Sequence, residues 1–507
     1  MKMPFSLPNL AFYLYIWQKS CSFAAFFVNH QKNTTMLLGR ENEQKRLLSL
    51  LNSDESEFVA IYGRRRVGKT YLVRQTFEGK FAFEHTGLKD GTKTEQLAEF
   101  RLSLIRSGMN VIPKLHSWSD AFFYLGQHLA ALPAGKKIVF IDELPWMDTV
   151  GSHFVSALDH FWNGWANMRN DVVLIVCGSA TSWIISKIVK NHGGLHNRLT
   201  AQIYLRPFTL HECEMYAKAR QLGMNRQSIL ETYMILGGIP FYWRLLNASN
   251  SWMQNIDQLF FQPNAELNDE FNALYASLFR SPQPYIDVVT ALGKKKAGMT
   301  REEIIHSLGT KQGGRLSQIL EELEQCDFIR SYAAIGKRKK DTLFQLIDNF
   351  TLFYFKFMAD TNKANRIQWQ TIATSPSYRA WSGLAFERVC MQHERQILIA
   401  LGISGIACNI YSWSFRPTED FPEGAQIDML IDRSDQIINL CEIKFSSKPF
   451  LLTKEYDAEL RHKMSVFEYA TKTRKGVRIV MITSFGLVRN AYANDIPNQL
   501  TMDDLFV

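Results

Sequence analysis

The chain has 507 residues, too many for a single hydrophobic core, and should divide into about three domains. Hydrophobic residues make up 46% of it and charged residues 21%, which excludes a disordered chain and a polytopic membrane protein. The net charge of +9 permits contact with nucleic acid without requiring it. The seven cysteines form no CxxC pair, which indicates a reduced, cytoplasmic protein without structural zinc.

Residues 1–35 contain no acidic residue and many aromatic ones. Their apolar run, Leu10 to Trp17, is much shorter than the roughly 20 residues of a membrane-spanning helix. We expect this segment to be an extension that is not part of the fold, with Met36 as the natural start. A short membrane-surface anchor is the alternative. No integral membrane association is expected.

A phosphate-binding motif follows the first buried strand, which we predict at Phe58 to Tyr62. The segment GRRRVGKT matches G-x-x-x-x-G-K-[ST] between a strand and a helix, the context that the motif requires. Its glycines let backbone N–H groups point at phosphates, Lys69 places a charge against the β and γ phosphates, and Thr70 offers a hydroxyl to Mg²⁺. The sequence therefore predicts binding of ATP with Mg²⁺. The predicted nucleotide-contacting residues of the motif are Gly63, Arg64, Arg65, Arg66, Val67, Gly68, Lys69 and Thr70.

Two further strand ends are predicted to complete this site. Asp142 and Glu143 follow a buried strand, where Asp142 would hold Mg²⁺ through its water shell and Glu143 would act as general base on the attacking water. Ser179 follows the next strand and is expected to orient that water, with a simple helix N-cap as the alternative. Arg198 is a candidate for stabilising transition-state charge, in its own subunit or a neighbour's. A solvated surface arginine is the alternative.

Strands that are nearly continuously apolar alternate with helices in residues 36–206, which predicts an α/β domain with a parallel sheet covered on both faces. In residues 207–280 the strand signal disappears, and a helical lid is expected. The motifs resemble, in order, those of the archaeal-type ATPase family of the AAA+/STAND branch of P-loop proteins. The resemblance implies ATP binding and places Arg40 and Glu41 near the nucleotide base. It rests on the phosphate-binding motif together with Leu38–Glu41, Phe140–Glu143, Cys177–Ser179, Asn197–Leu199 and Gly237–Pro240.

Residues 281–350 have the pattern of a winged helix-turn-helix: three helices, then two strand-like pieces around a basic turn. A capping box, Thr300 to Glu303, opens the second helix. The basic segments Lys337–Lys340 and Lys311–Arg315 are expected to contact DNA phosphates. The alternative is that this part only packs within a multidomain ATPase.

Residues 351–507 return to a mixed α and β pattern. The family often carries a domain similar to the PD-(D/E)xK nucleases here, which implies a restriction-endonuclease-like α/β fold. Glu387 fits the acidic residue on its first helix, Asp428 the strand aspartate, and Glu442 with Lys444 the Glu-x-Lys pair. Asp428 and Glu442 would bind Mg²⁺, Lys444 would orient water or offset phosphorane charge, and Glu387 would bind metal or support a ligand. Surface ion pairs are the alternative.

Two functional hypotheses follow. The first is an ATPase coupled to a DNA-binding or nuclease-like C-terminal domain. The second is a nucleotide-controlled signalling or assembly switch whose C-terminal domain is catalytically inactive and binds a partner. The expected ligands are ATP and Mg²⁺, and the expected macromolecular partners are DNA, another copy of this chain or a different protein.

Overall fold

The computed structural model describes residues 37–190, 195, 197–279, 281–309, 313–332, 341–359, 368–415, 417 and 424–507. Three parts of the sequence predictions lie outside these residues: the extension at 1–35, Lys311 and the basic turn with Lys337–Lys340. Within the described part, no helix is long and apolar enough to cross a membrane.

The first sheet has five parallel strands in the order β2-β3-β4-β1-β5, so the strand before the phosphate loop lies between β4 and β5. The strands are β1 (Glu57–Tyr62), β2 (Phe81–Thr86), β3 (Lys137–Asp142), β4 (Val172–Gly178) and β5 (Ala201–Tyr204). The helices are α1 (Glu41–Ser49), α2 (Lys69–Thr76), α3 (Lys93–Arg106), α4 (Trp118–Ala131), α5 (Phe154–Gly164) and α6 (Thr181–Ile184).

Side chains of β1 alternate between two separate cores. Val59 and Ile61 pack in the larger core on one face of the sheet, and Phe58 and Ala60 pack in a second core on the other face. Because both faces are buried, β1 has no polar face, which is why its sequence is a continuous apolar run. The prediction of a parallel sheet covered on both faces is confirmed.

Helices are the only regular secondary structure in the described residues between β5 and residue 279, as the sequence predicts. They are α7 (Leu210–Ala219), α8 (Arg226–Leu236), α9 (Pro240–Arg244), α10 (Trp252–Ile256) and α11 (Glu270–Leu278). Short 3-10 or π turns in the chain are Leu50–Asn52, Leu144–Met147, Ala166–Met168, Ile185–Val189, Asp257–Phe261 and Met502–Phe506.

The next part has three helices and a small antiparallel sheet in the order β6-β8-β7. The predicted capping box is present, since the Thr300 hydroxyl accepts from Glu303 N and the Glu303 carboxylate accepts from Thr300 N. The elements are α12 (Gln283–Gly293), β6 (Met299–Thr300), α13 (Arg301–Leu308), α14 (Gly313–Gln325), β7 (Ile329–Tyr332) and β8 (Leu343–Leu346).

The last part holds a mixed five-stranded sheet in the order β13-β12-β11-β10-β9. β9, β10 and β11 form an antiparallel meander, and β12 and β13 continue it in parallel. The strands are β9 (Cys408–Phe415), β10 (Ala425–Arg433), β11 (Ile437–Lys444), β12 (Gly476–Thr483) and β13 (Asn498–Thr501). The helices are α15 (Asn349–Phe357), α16 (Trp369–Ala373), α17 (Pro376–Gln392), α18 (Glu394–Ala400), α19 (Lys454–Thr471) and α20 (Ala491–Asn494).

The larger core connects all of these parts. It includes Ile61 of the first sheet, Met234 of α8, Phe350 of α15 and Ile431 and Ile443 of the last sheet. Six cysteines in the described part are free thiols, five of them buried.

Candidate functional site

The phosphate loop follows β1 and leads into α2. Gly63 has φ +142°, and a Cβ added there would lie 2.3 Å from the backbone oxygen of Leu205, so that only glycine fits. Gly68 has φ +94° and precedes the first residue of α2. The loop therefore has the backbone geometry that its two motif glycines predict.

The Lys69 side chain lies inside the loop. Its Nζ donates to Gly63 O at 2.8 Å and to Arg64 O at 3.0 Å, and the residue is only 6% exposed. Burial lowers the pKa of Lys69, while the carboxylates of Glu143 and Asp142 act in the opposite direction. The ammonium group is thus already at the loop that is predicted to hold phosphates.

Thr70 and Asp142 are in direct contact. The Thr70 hydroxyl donates to Asp142 Oδ2 at 2.7 Å, and Asp142 Oδ1 accepts from Glu143 N at 2.8 Å. The buried Cys177 thiol donates to Asp142 Oδ1 at 2.6 Å, and burial holds the pKa of this thiol well above its usual value. A hydroxyl oxygen beside a carboxylate oxygen is the kind of ligand that Mg²⁺ prefers, so these residues fit the ion.

Glu143, the predicted general base, is held by Ser179. Its Oε2 accepts from Ser179 N at 3.0 Å and from Ser179 Oγ at 2.9 Å. The residue that precedes α6 as its N-cap is Ala180, so the Ser179 side chain does not cap that helix. The structure thus brings together four side chains that the sequence predicted at one site: Lys69, Asp142, Glu143 and Ser179.

Two arginine side chains of the loop, those of Arg64 and Arg66, have partners outside this group. Arg64 is 2% exposed and forms an ion pair with Asp348, and its guanidinium stacks on Phe328 at 4.5 Å. Arg66 forms an ion pair with Glu270 and stacks on Phe241 at 4.3 Å. At Arg64 and Arg66, the predicted contacts with the nucleotide are therefore left to the backbone N–H groups. The two other side chains of this part of the loop differ in burial: Arg65 is half-buried and Val67 is buried.

Arg40 supports the loop from outside. It is 5% exposed, donates through Nη2 to Arg206 O at 2.7 Å and to Val67 O at 3.5 Å, and lies 3.5 Å from Glu212. Its predicted contact with the nucleotide base stays a prediction. Arg198 is exposed, and its predicted role in stabilising transition-state charge also stays a prediction.

Sequence reasoning missed three residues that contact the edge of this site from far along the chain. They are Asp348, Glu270 at the start of α11, and Asp327. Asp327 Oδ2 accepts from the Oη of Tyr204, the last residue of β5, at 2.5 Å. Asp348 had one local signal, since its Oδ2 caps α15 by accepting from Thr351 N at 2.9 Å. No local pattern could have paired these residues with the phosphate loop.

The predicted acidic residues of the last part lie on three adjacent elements: Glu387 on α17, Asp428 on β10 and Glu442 on β11. Asp428 Oδ2 accepts from Ile443 N at 3.3 Å, across the antiparallel pair β10–β11. Glu442 is 1% exposed. Asp428 and Glu442 thus lie on neighbouring strands joined by a short turn.

Lysine side chains neutralise these carboxylates. Lys296, in the segment between α12 and β6, lies 2.7 Å from Glu387 Oε2 and 3.8 Å from Asp428 Oδ1. Lys444 Nζ lies 2.9 Å from Glu442 Oε1, and Lys463 Nζ lies 3.1 Å from both oxygens of the same carboxylate. Sequence reasoning missed Lys296 because it belongs to a run of three lysines that resembles a solvated surface loop.

Burial and charge set the pKa values of this cluster. Burial, together with the Asp428 carboxylate, raises the pKa of Glu387 to about 7. Burial also raises the pKa of Asp428, and the Glu442 carboxylate adds to it. Burial acts to raise the pKa of Glu442, but Lys444 and Lys463 outweigh it and the net direction is down. Among the described residues, no group of three His, Cys, Asp or Glu side chains is arranged to hold a metal ion.

Comparisons with known proteins bear on the first half of the chain. Residues 37–246 match the family model of an ATPase domain found predominantly in Archaea. An uncharacterised protein of Methanocaldococcus jannaschii is 24% identical over 362 residues, which cover 70% of this chain and 77% of that protein. Residues 37–246, which hold the first sheet and the phosphate loop, are therefore similar to an ATPase domain of the archaeal type.

Two solved structures are also similar to this chain. A Walker-type ATPase of Pyrococcus abyssi aligns with a TM-score of 0.45 at 18% identity, over 62% of this chain and 95% of that one. The ORC2 protein of Aeropyrum pernix aligns with a TM-score of 0.37 at 12% identity, over 71% of this chain and 96% of that one.

Proposed function

We propose that the chain is a Mg²⁺-dependent ATPase whose nucleotide site controls a nucleic-acid-binding C-terminal half. The observation that carries the ATPase assignment is the contact between Thr70 Oγ1 and Asp142 Oδ2 at 2.7 Å, next to Lys69 and Glu143. These residues supply a metal-binding oxygen pair, a phosphate-binding ammonium and a carboxylate base in one place.

Each side chain has one task in this proposal. Thr70 and Asp142 hold Mg²⁺, which neutralises phosphate charge when bound. Lys69 exchanges its carbonyl partners in the loop for phosphate oxygens. Glu143 accepts a proton from the attacking water, and Ser179 fixes the orientation of that carboxylate through the contacts at 2.9 and 3.0 Å. Arg198, exposed on the same half of the chain, would serve its own site or that of a neighbouring copy.

Two substitutions test the ATPase assignment. Lys69→Ala should abolish ATP binding, since no other ammonium lies in the loop, and Glu143→Gln should retain binding but lower turnover by about a hundredfold or more. A fluorescent ATP analogue measures binding, and phosphate release measures turnover. Wild-type turnover in both variants would contradict the proposed roles.

Coupling to the C-terminal half is supported by the partners of the phosphate loop. Arg64 pairs with Asp348, which also caps α15. Tyr204, at the end of the strand beside β1, donates to Asp327 between α14 and β7. A nucleotide that moves the loop or its edge would therefore act directly on the elements that follow residue 280.

Nucleic-acid binding is supported by two similarities of arrangement. Helices α12–α14 with the β7–β8 hairpin have the order of a winged helix-turn-helix. Helix α17, the β9–β10–β11 meander, helix α19 and the parallel strand β12 have the order of a PD-(D/E)xK nuclease core, with Glu387, Asp428, Glu442 and Lys444 at the expected elements.

Metal-dependent cleavage does not follow from the observed side chains. Lys296, Lys444 and Lys463 neutralise Glu387, Asp428 and Glu442, and in the described part of the chain these carboxylates do not form a metal-binding group. This observation favours the second candidate function, in which the C-terminal half is catalytically inactive and binds a partner under nucleotide control.

A cleavage assay separates the two candidates. The full chain is incubated with ATP, Mg²⁺ or Mn²⁺, and plasmid or single-stranded DNA, and is compared with Asp428→Ala and Lys444→Ala. Cleavage by the wild type that both variants lose would support a nuclease. Intact DNA in all reactions, with retained ATP turnover, would support the inactive, partner-binding alternative.

A further inference from the structure

A cleft lies between the small antiparallel sheet and the last sheet. Strands β7 and β8 form one wall, and α17, β9 and β10 form the other. Its lining includes three cationic side chains, Lys296, Arg330 and Arg388, and two carboxylates, Glu387 and Asp428. Since the walls come from two different parts of the fold, neither part has this cleft by itself.

Arg330 projects from β7 and, among the residues that the structure describes, hydrogen-bonds only to neutral groups. Its Nε donates to Gln345 Oε1 at 2.7 Å and its Nη2 to Ser412 Oγ at 3.1 Å. The Gln345 amide group is itself fixed, because its Nε2 donates to Lys296 O at 2.7 Å. Burial lowers the pKa of Arg330, since the charged guanidinium loses water, and this outweighs the opposite effect of the Glu394 carboxylate.

Arg388, on α17, likewise hydrogen-bonds only to neutral groups among the described residues. Its Nε donates to Leu346 O and its Nη1 to Leu384 O, both at 3.2 Å. Burial lowers the pKa of Arg388 to about 10, although the nearby Glu387 carboxylate acts in the opposite direction. Within the described ranges, neither Arg388 nor Arg330 has a carboxylate at ion-pair distance. Arginines that are half-buried without an anion are costly, and they mark a place where an anion would be stabilised.

Lys296 offsets part of the carboxylate charge at the end of the cleft. Its Nζ lies 2.7 Å from Glu387 Oε2 and 3.8 Å from Asp428 Oδ1. Without this ammonium, the two carboxylates would repel an anion that entered the cleft. With it, the guanidinium charges of Arg330 and Arg388 dominate the site.

We propose that this cleft binds a phosphodiester of a nucleic-acid strand between Arg330 and Arg388. Guanidinium groups bind phosphate oxygens through two parallel hydrogen bonds, and each of these arginines is held by partners that leave part of its fork unused. A phosphodiester carries a single negative charge, which suits a cleft in which two carboxylates lie nearby. The site gives the proposed nucleic-acid binding a location, and it rests on that proposed function.

Fluorescence anisotropy with a labelled single strand and a labelled duplex tests the site in the full chain. Arg330→Gln and Arg388→Gln should each weaken binding about tenfold at low salt and reduce the slope of log K against log salt by about one. Arg379→Gln is the matched control: it removes the same charge from an exposed position on α17. This variant should bind within about twofold of the wild type.

Folding and ATP turnover are measured on every variant, because Arg388 also bonds to backbone carbonyls. Arg388→Lys keeps the charge without the two-pronged geometry and should lie between the wild type and Arg388→Gln. Inorganic phosphate is added as a competitor, at the same concentration of phosphate groups as the strand provides. If it displaces the strand, the cleft is a site for free phosphate and the proposal is overturned.

The remaining outcomes separate this proposal from the function on which it rests. A folded wild type that binds no strand in any nucleotide state would overturn both. If Arg330→Gln and Arg388→Gln bind the strand as tightly as the wild type does, the cleft site is overturned. Nucleic-acid binding would then remain in place, elsewhere on the chain.

Discussion

Arg64 of the phosphate loop forms a buried ion pair with Asp348, the residue that caps helix α15. The two residues are 284 positions apart in the chain. A residue of the nucleotide-binding motif therefore contributes to the packing of the C-terminal half.

Asp348→Asn is expected to destabilise the protein by about 3–5 kcal/mol, because it leaves the Arg64 charge buried without a partner. Asparagine keeps an oxygen that can accept from Thr351 N, so the cap of α15 is retained. Urea unfolding followed by tryptophan fluorescence measures the free energy of unfolding. Addition of Arg64→Met should recover part of the loss. A change of less than about 1 kcal/mol in the single variant would mean that the pair is energetically unimportant.

Ser179→Ala is expected to lower kcat for ATP by about ten- to a hundredfold with KM unchanged, because Ser179 orients the Glu143 carboxylate without touching the predicted phosphate loop. Steady-state phosphate release measures both constants. Ser182→Ala, three residues further in α6, is the control and should behave like the wild type. A rise in KM with kcat unchanged would instead assign Ser179 to nucleotide binding.

Gly63→Ala and Gly68→Ala should differ sharply, although both glycines have positive φ. A Cβ at position 63 would collide with Leu205 O, whereas a Cβ at position 68 has no atom within 4 Å. We expect Gly68→Ala to lose about 1–2 kcal/mol of unfolding free energy from backbone strain and Gly63→Ala to lose ~2–3 kcal/mol more. Thermal and chemical unfolding measure the difference. Equal losses would show that the chain after β5 can move away from the loop.

His393 should make the protein less stable in acid. Its Nε2 accepts from Leu210 N at 2.9 Å and its Nδ1 donates to Val389 O at 2.8 Å, which requires a neutral ring. Burial lowers the pKa of His393 to about 4, below the ordinary value near 6.5. The stabilisation is therefore complete above about pH 6.5 and is lost as the pH falls towards 4, by about 3 kcal/mol in total.

The check on this prediction is a comparison of unfolding free energies between pH 7 and pH 4. Over this range the free energy of unfolding should fall more in the wild type than in His393→Gln. The reason is that the wild type takes up about one additional proton, on His393, when it unfolds. His160→Gln, at an exposed position, should follow the wild type. Parallel curves for the wild type and His393→Gln would contradict the assignment.

Much of the nucleotide site could be predicted from sequence, because its strands are buried on both faces and its residues follow those strands directly. β1 and β3 are continuous apolar runs, and Asp142 ends the second of them. The edge strands of the two larger sheets were missed for the same physical reason. β2 and β5 at the edges of the first sheet, and β9 and β13 at the edges of the last, are only partly buried and mix polar with apolar residues.

Side-chain partners were the least predictable feature. The motif correctly indicated a loop at Arg64 and Arg66, but Asp348 and Glu270 lie far away in sequence and carry no signal of this pairing. Similarly, Glu387 and Asp428 were predicted from the resemblance to the nuclease-like domain, whereas their partner Lys296 belongs to another part of the chain. Pairings of this kind depend on how the parts pack, which local sequence patterns do not encode.

The larger core, which runs from Ile61 through Met234 and Phe350 to Ile443, limits how this protein can change by recombination. Replacing the segment after residue 350 with an unrelated domain would remove most of α15 and expose the apolar face of α8 on which α15 packs. Interiors are close-packed, so a substitute would have to reproduce those surfaces in shape as well as in polarity. The C-terminal half is therefore expected to be inherited with its ATPase domain as a unit, and the two should diverge together.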